Sequence, residues 1–166
     1  TKFYSHFLDN VNNNIPNINK FLDKYGNYLN DDFVLGYYIH LYTDYLWFKY
    51  FVTEFYDKPM ITKLDGTVVK CSGNMLSLYV YNDYTNLNIK LIDKYNMDLK
   101  IFYNQLPKLS NIIEEIPMDK MGLLLSQMGI IIENSKEKKD YIFNIENIEK
   151  FITTSVELIL GKITEL

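Results

Sequence analysis

The sequence predicts an all-α protein, a bundle of about six helices with a small β-hairpin or ordered loop inserted near residues 57–73. Three observations carry this. Apolar residues recur at helical spacing over most of the chain. The breaks between these runs hold capping residues and proline. The one segment rich in β-branched residues is short and flanks a single Asp65-Gly66 pair.

Taken in order, residues 1–14 form a lead-in, and Asn14-Ile15-Pro16 supplies a helix start with proline in the first turn. Ile18, Phe21, Leu22, Tyr25 and Leu29 then make an amphipathic helix over about 16–29. Asp31 or Asp32 caps a second helix that runs to about Tyr56. It is apolar nearly all round and therefore belongs at the centre. The hairpin segment at 57–73 contains Pro59 and the run MITKLDGTVVK. A third helix follows over about 74–95, a fourth over about 97–106 ending before Pro107, a fifth over about 118–133 and a sixth over about 145–164. The SKEKKD run at 135–140 reads as a solvated connector.

At 166 residues the chain has the size of one domain, expected to span 1–166. Hydrophobic residues at 48% and charged residues at 23% are ordinary for a globular protein, which sets aside disorder and disulfide scaffolds. There is no arginine, so phosphate recognition falls to lysine, backbone N–H groups or a metal. The net charge of −4 argues against nucleic acid as partner, because that affinity needs clustered positive charge. Cys71 is the only cysteine, which excludes an internal disulfide and a thiolate-rich zinc site and suits a reducing cytoplasm. The longest apolar stretch, 33–52, contains His40, Asp44 and Lys49, so it reads as a buried helix rather than a transmembrane segment. The start on Thr1, with no apolar leader and no initiating Met, fits a cytoplasmic chain that is a processed or truncated piece of something longer.

In a helical bundle, sites are built from polar groups on apolar helix faces. His40 and Asp44 are four residues apart, one turn on one face, among Phe33, Gly36, Tyr37, Trp47 and Phe51. Burying such a pair requires compensation. Either the two groups hydrogen-bond a tyrosine, a carbonyl or each other, or the imidazole and carboxylate converge on a divalent metal. The only other histidine, His6, stands between aromatics in FYSHF and reads as a partly buried loop residue. Asp9 reads as a turn or cap residue. Asp83 interrupts a second apolar stripe formed by Leu76, Tyr79, Val80, Leu87 and Leu91, where a tyrosine hydroxyl would satisfy it.

The segment FVLGYYIHLYTD at 33–44, with its Leu35-Gly36 pair before a helical His-x-x-x-Asp, resembles the zinc-dependent phospholipase C family. So does the Ser-His-Phe-x-Asp stretch at 5–9, in the same chain order. The likeness covers about the first 50 residues. It implies the family's all-α fold, hydrolysis of phosphate esters, and zinc-ligand roles for His6, His40 and Asp44; Asp83, beyond the likeness, is a candidate extra oxygen ligand. The family's tryptophan and further His and Asp ligands upstream have no counterpart, and no histidine follows His40. The residues present therefore imply one His-His-Asp site for zinc or another divalent transition metal, not the family's full cluster. The expectation is a metal-dependent hydrolase of a small-molecule or lipid phosphoester. The alternative is a non-catalytic helical metal- or ligand-binding domain with a structural His/Asp cluster. An anionic chain lacking a basic amphipathic helix favours a soluble substrate or transient contact with lipid.

Overall fold

A computed structural model of the chain describes residues 1–56, 60–70, 73–136 and 139–166. Its helices are α1 (Lys2–Ser5), α2 (Ile18–Tyr25), α3 (Asp32–Leu46), α4 (Thr53–Tyr56), α5 (Gly73–Tyr95), α6 (Met121–Glu133) and α7 (Ile145–Glu165). One antiparallel hairpin joins β1 (Met60–Thr62) to β2 (Val68–Lys70). The protein is thus mostly helical with a small hairpin insertion, as the periodicity predicts. The chain groups into two compact units, one of residues 1–52, 106–119 and 153–166, the other of 53–105 and 120–152. Among the described residues no helix is long and apolar enough to cross a membrane.

In the first unit α2 begins later than Asn14-Ile15-Pro16 suggests. Pro16 forms an isolated bridge with Leu8, and Asn17 becomes the cap, its side chain accepting from the Lys20 N–H at 3.1 Å. Of the two candidate caps for α3, Asp31 is used. Its Oδ1 accepts from the N–H groups of Phe33 and Val34 at 3.0 and 3.1 Å and from Ser110 Oγ at 2.7 Å. The expected continuous helix to Tyr56 is interrupted by a π-turn at Trp47–Phe51, where the Val52 N–H reaches the Trp47 carbonyl. Phe21, Val34, Tyr38 and Leu41 are almost fully buried. Truncating Phe21 to Ala would cost about 3–5 kcal/mol. Glu115, on the 106–119 segment, fastens this core by accepting from Lys24 at 2.8 Å and Tyr25 at 2.7 Å.

In the second unit the hairpin turns at the predicted Asp65-Gly66 pair. Gly66 takes the left-handed φ of 81°, and Asp65 accepts from the Thr67 N–H at 2.9 Å. Its flanks at 57–59 and 71–72, including Cys71, lie outside the described residues, as do 137–138 of the predicted connector. Asn96 ends α5 in the left-handed region at φ 48°, with the Met97 N–H bonded to the Ile92 carbonyl. The fourth helix expected at 97–106 is instead one 3₁₀ turn, Leu99–Phe102, capped by Asp98. Ile101 is 70% exposed there, so the segment lacks the buried face that stabilises a short helix. Gly129 of α6 is buried against this turn, and a Cβ built on it would meet Phe102 Cβ at 2.8 Å.

Candidate metal centre

His6 caps α1 at its C-terminus, and its position is set by a closed backbone motif. The Phe7 N–H bonds the Tyr4 carbonyl and the Leu8 N–H bonds the Phe3 carbonyl, the two bonds of a Schellman turn. Phe7 occupies its left-handed position at φ 55°, where glycine is usual. The strain, about 1–2 kcal/mol, is offset by burial of the Phe7 ring edge-on against Phe21 at 5.4 Å. Tyr37, one turn before His40 on α3, donates its hydroxyl to the Ser5 carbonyl at 2.7 Å and ties α1 to α3. Burial pushes the Tyr37 hydroxyl up to about 12, so it remains a donor across the physiological range.

This framework brings His6, His40 and Asp44 together, with one ligand atom of each within 4.8 Å of the others. His6 Nε2 lies 3.3 Å from His40 Nε2 and 3.5 Å from Asp44 Oδ2. The two imidazole rings meet edge-on, 5.1 Å apart at 82°. Burial, with the His40 and Lys2 charges behind it, holds His6 below its ordinary value despite the opposing pull of Asp44. His6 is therefore neutral at neutral pH, and its contact with Asp44 is not an ion pair there.

The donor chemistry fits a transition metal. Two donors about 2.0–2.2 Å from one ion at a tetrahedral angle lie about 3.3–3.5 Å apart, and an octahedral edge is shorter. Both distances at His6 Nε2 agree with the tetrahedral spacing. Ser5 Oγ is 3.0 Å from His6 Nδ1, and such a contact on the ring's other nitrogen fixes the tautomer of a ligating histidine. With Nδ1–H donating to Ser5, the lone pair of Nε2 faces His40 and Asp44. The amino-terminal turn also supplies a cation, since the Lys2 ammonium lies 4.9 Å from the centroid of the Phe48 ring.

Asp83, expected as a fourth ligand, is not among the residues brought together. It is wholly buried in the second unit, and its oxygens accept from the N–H groups of Tyr141 at 2.8 Å, Ile142 at 2.6 Å and Phe143 at 3.0 Å. A carboxylate so engaged is a clamp on the backbone before α7. The tyrosine hydroxyl expected to satisfy it is replaced by peptide N–H groups, which no side-chain pattern announces. Asp9 has the local role expected of it, accepting from Asn17 at 2.9 Å and pairing with Lys20 at 2.7 Å. Ser5, Tyr37 and Lys2 were not singled out from sequence. Tyr37 alone carried a signal, lying on the His40 face.

No protein-family model, no curated protein and no solved structure matches this chain.

Proposed function

We propose that this chain is a metal-dependent phosphoester hydrolase of the zinc-dependent phospholipase C type. The observation that carries the reading is the placement of His6 Nε2, 3.3 Å from His40 Nε2 and 3.5 Å from Asp44 Oδ2. These three residues hold zinc or another divalent transition metal, whose bound water would have its pKa lowered to about 7 and serve as nucleophile. Ser5 and Tyr37 act as positioning residues, one on the His6 ring and the other on the turn that carries it. Lys2 offers its charge to the phosphoryl oxygens, a task arginine cannot share in this chain. The substrate is a small-molecule or lipid phosphoester, met in solution or in brief contact with a surface, since a net charge of −4 opposes anionic lipid. A reducing cytoplasm suits the single cysteine.

The test is hydrolysis of bis(p-nitrophenyl) phosphate by protein carrying one equivalent of zinc. Turnover is expected, falling to background in His40→Ala with helical circular dichroism retained. Zinc-loaded protein without turnover, or turnover indifferent to His40→Ala, overturns the catalytic reading.

One observation favours a second reading. The 3.3 Å separation of the two Nε2 atoms is also within hydrogen-bond reach, and if Ser5 donates to His6 Nδ1, a proton on His6 Nε2 would make the cluster a metal-free structural network. The His6 tautomer separates the two. Nitrogen-15 chemical shifts placing the proton on Nδ1 support a ligand, and on Nε2 the structural network.

A further inference from the structure

The face of α3 opposite His40 and Asp44 borders a cavity of about 550 Å³ within the first unit, in the range of small-molecule sites. Tyr38, Tyr42 and Tyr45 recur along this face at helical spacing, roughly 140–200° of helix rotation from His40, and Lys49 follows in the π-turn. The three tyrosine rings form a ladder with centroid steps of 5.9 and 5.6 Å and small interplanar angles of 31° and 28°.

Tyr38 is the informative member. It is 1% exposed, yet its hydroxyl has no hydrogen-bond partner among the described residues. No side-chain polar atom fully removed from solvent is left unsatisfied among them, so the small exposed part of Tyr38 is its route to a partner, and Tyr38 lines the cavity. Tyr42 is likewise without a partner among the described residues. Burial raises both hydroxyls above their ordinary value and keeps them protonated. Each can then donate one hydrogen bond and accept others.

Two charged contacts of the wall are closed ion pairs, and the Lys49 ammonium is hydrogen-bonded to a neutral hydroxyl. Lys162 meets Glu165 at 2.6 Å, Asp9 meets Lys20 at 2.7 Å, and Lys49 meets the Tyr45 hydroxyl at 2.6 Å. An ionic ligand would have to break one of the two ion pairs or compete with the Tyr45 hydroxyl for Lys49. A purely apolar ligand would strand the tyrosine hydroxyls at the cost of unmade hydrogen bonds. What remains is a neutral molecule with C–H surface for Ile15, Pro16 and Leu22 and hydroxyl groups that donate and accept in turn. We infer that this cavity is a binding site for a pyranose sugar or short oligosaccharide, with the Tyr38 hydroxyl as its innermost contact.

The experiment is saturation-transfer NMR on the full chain with glucose, N-acetylglucosamine and maltose offered separately, and glucose 6-phosphate and cyclohexanol as ionic and apolar comparators. Transfer to the ring protons of at least one neutral sugar is expected, with affinity about three- to tenfold weaker in Tyr38→Phe. Tyr38→Phe removes one oxygen and keeps the ring, and without ligand it should melt no lower than wild type. Absence of transfer to all three sugars, equal affinity in Tyr38→Phe, or tighter binding of either comparator overturns the assignment. The metal site stands or falls separately, since no reading in this experiment depends on zinc.

Discussion

Replacing Asp83 distinguishes a backbone clamp from a metal ligand. The carboxylate is wholly buried and accepts three peptide N–H groups, of which those of Ile142 and Phe143 form buried bonds and that of Tyr141 a part-buried one. In Asp83→Ala water can reach Tyr141, but two donors stay stranded at about 1–3 kcal/mol each, roughly 2–6 kcal/mol together. That is a large part of the 5–15 kcal/mol typical of folded domains. Asp83→Asn keeps one acceptor oxygen but turns an NH₂ toward a donor, so a loss of about 1–3 kcal/mol is expected. Urea unfolding followed by circular dichroism measures the totals, and amide exchange at Ile142 and Phe143 reads the clamp itself. Zinc content of the folded Asp83→Asn protein should equal that of wild type. Stability within about 0.5 kcal/mol of wild type for Asp83→Ala, or loss of zinc from folded Asp83→Asn, would refute the clamp.

Three further outcomes follow from particular contacts. Ser5→Ala removes the group 3.0 Å from His6 Nδ1 and should weaken zinc binding about 10- to 100-fold in chelator competition, while an unchanged affinity would remove Ser5 from the site. Gly129→Ala places a methyl 2.8 Å from Phe102 Cβ and 2.9 Å from the Tyr103 ring. It should destabilise by about 1–3 kcal/mol in urea unfolding, a result contradicted by a neutral or stabilising effect. Burial raises Glu115, but hydrogen bonds from Lys24 and Tyr25 outweigh it, so its folded value lies below its ordinary 4.5. A depressed carboxylate contributes stability above 4.5 that is lost as pH falls through the folded value. The advantage of wild type over Glu115→Gln should therefore be present at neutral pH and shrink below pH 4.5, and a difference independent of pH would exclude that linkage.

Much of the fold was legible because helix signals are local. The Asp31 cap and the Asp65-Gly66 turn each act over two or three residues, and the structure uses both. The departures depend on contacts made elsewhere in the chain. Pro16 forms a bridge with Leu8, and the cap of α2 falls on Asn17. The 97–106 segment has helical spacing but too little buried surface to hold more than one turn. The His-x-x-x-Asp spacing brought His40 and Asp44 to one face, yet the approach of His6 depends on a left-handed Phe7 that sequence gives no reason to expect. Asp83 had the right residue type and the wrong partners, because peptide N–H groups leave no mark in a side-chain pattern. The tyrosine face of α3 was hidden for a related reason. Hydropathy counts Tyr38, Tyr42 and Tyr45 as part of an apolar helix and does not register their hydroxyls.

Zinc K-edge X-ray absorption of protein loaded with one equivalent of metal and dialysed tests the central claim most directly. Two imidazole nitrogens and a carboxylate oxygen at about 2.0–2.2 Å, in a four-coordinate shell completed by water, are expected, with one imidazole lost in His40→Ala. Failure to retain zinc, or the same shell in His40→Ala, would contradict a metal centre at His6, His40 and Asp44.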